Sequence, residues 1–216
     1  MADVIPNDRL IDALAADLPP VRRLWPPFVR ATGFLAVVLA IGTLLACLVP
    51  LEPIARRLLG APDLMLAAIG STATAVLATL AAFAISLPDR SRAWALLPLP
   101  AAALWIGASG LGCLRTVLAP ASHVPEAAET IACLRFILGM SLPLSALLIV
   151  MLRRAAPLRP RLTAMMGGLA VASAAASLLW FVHPFDASAT DLCVHIVAVG
   201  IVVGLNEAFG GRLLGR

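Results

Sequence analysis

Six apolar stretches separated by short polar breaks set the pattern of this chain: residues 28–49, 64–87, 94–113, 132–152, 162–182 and 192–210. Each approaches or exceeds the ~20 apolar residues a helix needs to cross ~30 Å of hydrocarbon. The pattern predicts an all-α membrane protein, a bundle of six transmembrane helices. Residues 1–27 read as a cytoplasmic segment with a short amphipathic helix, 28–210 as the transmembrane domain and 211–216 as a cytoplasmic tail. Composition agrees: 61% of the 216 residues are hydrophobic and the mean hydropathy is +0.98, more than a soluble core of this size absorbs.

Arginine orients the bundle. All 16 basic residues are Arg. With the N-terminus inside, one side carries Arg9, Arg22, Arg23, Arg30, Arg90, Arg92, Arg153, Arg154, Arg159, Arg161, Arg212 and Arg216, and the other only Arg56, Arg57, Arg115 and Arg135. The positive-inside rule therefore predicts both termini in the cytoplasm of a bacterial inner-membrane protein. The net charge of +4 reports topology and contact with anionic lipid, not binding to nucleic acid. Residues 1–27 include Asp3, Asp8, Asp12 and Asp17 and lack a short apolar run before a small-residue cleavage site, so no removed signal peptide is expected.

The N-terminal segment is the one sizeable soluble element. Asn7 can cap a helix that begins at Asp8, with Asp8 and Asp12 at its positive end. Leu10, Ile11, Leu14 and Leu18 fall on one apolar stripe, and Pro19-Pro20 stops the helix. Three turns are marginal alone in water. The acidic opposite face, with Asp12 and Asp17, argues against an anionic membrane surface and for a groove in a partner protein. The alternative is packing against the chain's own cytoplasmic loops. Val21 to Pro27, with Arg22, Arg23 and Trp25, forms a basic, aromatic hinge into the first span.

On this topology every cysteine and histidine lies on the outer side, where thiol pairs can persist as disulfides. Cys47 and Cys113 end apolar runs, where a small residue packs well. Cys133 and Cys193 open the fourth and sixth spans beside polar loops, where a thiolate is reachable for redox or metal chemistry. Neither belongs to a CxxC, and no Cys/His zinc spacing occurs, so neither a catalytic site nor a metal site is assigned and no cofactor is expected. His195 stands roughly 200° around a helix from Cys193, and His123 and His183 read as loop residues.

The spans themselves supply packing more than chemistry. Gly168–Ala172–Ala176 and Gly200–Gly204 place small residues at four-residue spacing, which predicts close helix approach. Pro98, Pro100 and Pro143 predict kinks. Glu207 is the one acid deep in a span, close enough to Arg212 and Arg216 to reach the interface.

The segment Leu10-Ile11-Asp12-Ala13-Leu14-Ala15-Ala16-Asp17-Leu18-Pro19-Pro20-Val21-Arg22-Arg23-Leu24, followed by Pro26-Pro27 and six spans, resembles the NrsF family of bacterial membrane anti-sigma factors. The likeness runs end to end. It implies a partner, an extracytoplasmic-function sigma factor, held at the inner membrane until envelope stress arrives. It further implies that residues 8–24 make the sigma contact, through Leu10, Ile11, Leu14, Leu18, Arg22 and Arg23, and that Cys133 and Cys193 sense oxidants or heavy metals. The family often places a cysteine near its His-Pro turn; here His183-Pro184 is followed by Phe185. Two rivals differ in class. A membrane thiol oxidoreductase would need a CxxC relay, and a small transporter would need polar groups along a midplane path; the sequence offers neither.

Overall fold

Helix follows helix through the computed structural model, which describes residues 7–16, 23–118, 127–182 and 189–215. The helices are α1 (Asn7–Ala16), α2 (Pro27–Leu48), α3 (Leu51–Gly60), α4 (Pro62–Ile85), α5 (Leu99–Leu118), α6 (Ala127–Arg153), α7 (Pro160–Leu179), α8 (Ala189–Leu205) and α9 (Gly211–Leu214). A 3-10 turn over Arg92–Leu96 leads into α5, and a π-helical turn over Asn206–Gly210 joins α8 to α9. No strand occurs among the described residues. Six helical segments are long and apolar enough to span a membrane: Pro27–Leu48, Pro62–Ile85, Arg92–Gly112, Ile131–Arg153, Pro160–Leu179 and Cys193–Leu214. They coincide with the six apolar stretches.

The helices are not equivalent. Of the α7 span 78% is buried and of α4 half, against 28% or less for the other four. Their sequences explain this. Ala170, Ala172, Ala174 and Ala175 of α7, with Ala78, Ala81 and Ala82 of α4, keep both helices thin, so neighbours pack closely against them. Larger side chains fill the remaining space: Phe34 from α2, Phe83 and Ile85 from α4, Leu148 and Leu152 from α6, and Val171 from α7.

Two glycines set the closest approaches. A Cβ on Gly70 would stand 2.7 Å from the backbone nitrogen of Trp105, and one on Gly168 would stand 2.8 Å from Cα of Val203. Gly168, Ala172 and Ala176 are buried as their spacing predicts. Gly200 and Gly204 differ from expectation: both are exposed on α8, with nothing within 4 Å of where a Cβ would sit. Spacing marks a smooth helix face, but the rotation of the helix decides what meets it.

Several hydroxyls inside the bundle are satisfied locally, although those of Ser141 and Thr163 are buried without a partner. Thr74 and Thr79 donate to the carbonyls of Gly70 and Ala75 at 2.7 Å, and Ser173 donates to Leu169 at 2.6 Å. Such i−4 bonds suit an environment without water. Between α4 and α7, Ser177 Oγ lies 3.2 Å from Ser71 Oγ and 3.4 Å from Thr72 Oγ1. Asn206, buried in the π-helical turn, donates to Ser145 Oγ of α6 at 2.9 Å and to the Val202 carbonyl at 2.8 Å.

Two further departures have local causes. The break between the first two apolar stretches is not irregular but contains α3. Leu51, Ile54 and Leu58 repeat at helical spacing, and Glu52 pairs with Arg56 one turn on at 2.8 Å. Pro98 and Pro100 do not kink a continuous third helix. They sit where the 3-10 turn gives way to α5, with Pro100 at its second residue, where a missing N–H costs nothing. α6 runs through Pro143.

Candidate functional site

α1 forms where the alternation of apolar and polar residues requires it, ending before Pro19-Pro20. Its apolar stripe is not covered: Leu10, Ile11 and Leu14 are 46%, 60% and 63% exposed, and every α1 residue from Arg9 to Ala16 is exposed. Arg23, Leu24 and Trp25 beyond it are exposed as well. Leu18 and Arg22 lie outside the described residues.

α2 carries this segment into the bundle, and Arg30 fastens it there. The Arg30 guanidinium sits 5.0 Å from the centroid of the Phe83 ring, and Nη2 donates to the Met151 carbonyl. That carbonyl belongs to the last turn of α6, which has no intrahelical donor to meet. The same side chain therefore joins α2 to α4 and α6, combining a cation–π contact with a charge-assisted hydrogen bond. Sequence reasoning counted Arg30 only among the arginines of the inner side; no spacing signal pointed to its two partners.

At the opposite ends of the spans, the two singled-out cysteines occupy different environments. Cys193 is exposed at the start of its span and carries a free thiol. Cys133 departs from the expected accessibility: it is only 2% exposed, in an apolar cluster with Ile137, Ala175, Leu179 and Ala198. α6 begins six residues before it, at Ala127, and turns Cys133 inward against α7 and α8. Cys47 is exposed rather than packed. His123, His183 and the side chain of Cys113 lie outside the described residues. At this end α3 lies near the last turn of α7, where the Arg57 guanidinium stands 6.0 Å from the Trp180 ring centroid. Among the described residues no group of three His, Cys, Asp or Glu side chains is gathered to hold a metal ion.

Glu207 lies in the π-helical turn, exposed, and lines an open groove with Arg161 and Arg212. This agrees with an interfacial carboxylate and supplies no midplane charge.

The profile of the NrsF family, described as negative regulator of sigma F, matches residues 14–215. The chain belongs to the NrsF family. No curated protein and no solved structure matches it. Membership makes the chain a negative regulator of a sigma factor, and a sigma factor its partner. The matched range takes in all six spans, the clamp at Arg30 and both cysteines. It begins at Leu14, so Leu10 and Ile11 precede it while Leu18, Arg22 and Arg23 fall within it.

Proposed function

We propose that this chain is an inner-membrane anti-sigma factor whose cytoplasmic N-terminal segment sequesters an extracytoplasmic-function sigma factor. It releases that factor when thiols on the periplasmic side meet an oxidant or a heavy metal. The observation that carries the reading is the uncovered stripe of Leu10, Ile11 and Leu14 on α1. A short helix with an exposed apolar face is stabilised by docking into a partner's groove. Leu18, Arg22 and Arg23 extend the contact toward the membrane.

Sensing follows an order set by burial. Cys193, exposed, meets a reagent first. Cys133 reacts only when the cluster formed by α6, α7 and α8 opens. Opening that cluster displaces α6, whose far end is held by Arg30 and hence by the helix that carries the sigma-binding segment. A packed bundle passes such a displacement on as a rigid shift or tilt.

The test is co-purification of the tagged full chain from native membranes. A sigma factor is expected in the wild-type eluate and absent from that of Leu14→Asp, with both proteins inserted equally. A charge at a buried anchor costs on the order of 2–4 kcal/mol, a loss of thirtyfold or more. Equal recovery with Leu14→Asp and with Leu10→Asp would refute the docking role of α1.

A further inference from the structure

We infer that the start of α7 forms a binding site for the phosphate of an anionic phospholipid. The site rests on the reading of the chain as a membrane protein but not on its partner or its signal. A cavity of about 350 Å³ opens between Arg92, Arg159, Pro160, Arg161 and Leu162, and every charged residue lining it is an arginine. Among the described residues none of these three arginines makes an ion pair. Asp89 pairs with Arg90 at 3.8 Å, and Glu207 lines a separate groove that shares Pro160 and Arg161 with this one.

The fold builds this concentration of charge. The connection from α6 reverses through Ala156, whose φ is 44°, and delivers Arg159 to the neighbouring connection, where Nη1 donates to the Arg90 carbonyl at 3.0 Å. The two inner connections are pinned together and their arginines brought around one opening. Backbone donors belong to residues that line the same opening. The first helical bond of α7 runs from Thr163 N–H to the Arg159 carbonyl at 3.0 Å, which leaves the N–H groups of Arg161 and Leu162 ahead of it. No side chain caps this end. Three guanidinium groups with free donors, at the positive end of a 20-residue helix, select a phosphate oxyanion.

Its surroundings favour a lipid over a free ion. Leu158, beside Arg159, is 74% exposed, and Leu96 and Leu99 are exposed on the span that follows Arg92. Apolar side chains flanking an arginine cavity at the end of a span fit the boundary between headgroups and acyl chains, where basic pockets between helices hold anionic headgroups.

Native mass spectrometry of the detergent-purified full chain tests this, with phosphatidylglycerol, phosphatidylcholine and sodium phosphate as probes. Wild-type protein is expected to retain phosphatidylglycerol over phosphatidylcholine. Arg92→Gln/Arg161→Gln is expected to bind phosphatidylglycerol about thirtyfold more weakly. Arg153→Gln/Arg154→Gln, which removes equal charge from the same end outside the cavity, should retain it. Equal retention of the two lipids by the wild type overturns the site, and that measurement needs no variant to fold. So does an equal loss in the two double variants, which would leave only general surface charge. Displacement of phosphatidylglycerol by millimolar sodium phosphate would assign the cavity to a free anion instead.

Discussion

At Gly70 and Gly168 a single methyl group has nowhere to go, because the obstacle is backbone of the neighbouring helix rather than a flexible side chain. Gly70→Ala and Gly168→Ala are each expected to cost about 1–3 kcal/mol through overpacking. Gly200→Ala, facing open space, should fall within about 0.5 kcal/mol of wild type. Thermal unfolding in one detergent compares the three, and an equal loss at Gly200 would contradict the rotation assigned to α8. The cysteines divide along the same line. A polar maleimide is expected to label Cys193 in the folded protein and Cys133 only after denaturation, read by peptide mapping of the labelled chain. Labelling of both at one rate would mean that the cluster around Cys133 is open in the resting state.

Helices of similar hydropathy carry very different loads. α7 is enclosed on all sides, whereas most of α2 faces outward. Ala175 of α7 is fully buried and Ala36 of α2 is exposed, so the same substitution separates the two roles. Ala175→Leu is expected to disrupt the bundle, costing about 1–3 kcal/mol or more, while Ala36→Leu leaves the melting temperature in detergent nearly unchanged. Equal effects would remove α7 from the centre. α1 is the opposite extreme, a helix with no enclosure, which is why a partner is invoked for it and for no other element.

For the molecule as a whole, the arginine distribution and the even number of spans predict where each end lies. Reporter fusions at residues 1 and 216 are expected to read cytoplasmic, and one within 119–125 periplasmic. A terminus outside would place the α1 stripe and the thiols in the wrong compartments for the proposed regulation. The clamp at Arg30 is the contact through which the two ends of the bundle communicate in that proposal. Arg30→Ala is expected to weaken retention of the sigma factor or its release on stress, while Arg30→Lys, which keeps the charge but not the planar stack, should give a smaller change.

Hydropathy alone determined the six helices long and apolar enough to span a membrane, because length and apolar character are properties of one segment. The α1 helix was legible for the same reason: its apolar stripe, Leu10, Ile11 and Leu14, lies within one short segment. Which helix is central, which glycines meet a neighbour and whether a thiol faces a loop or a core depend on how each helix is rotated about its axis. That rotation is set by packing between residues far apart in sequence, such as Gly168 with Val203 and Arg30 with Met151. Cys133 shows the consequence: in sequence it stands at the polar end of an apolar run, in space it packs with Ala175, Leu179 and Ala198, and only the tertiary structure decides which way it faces.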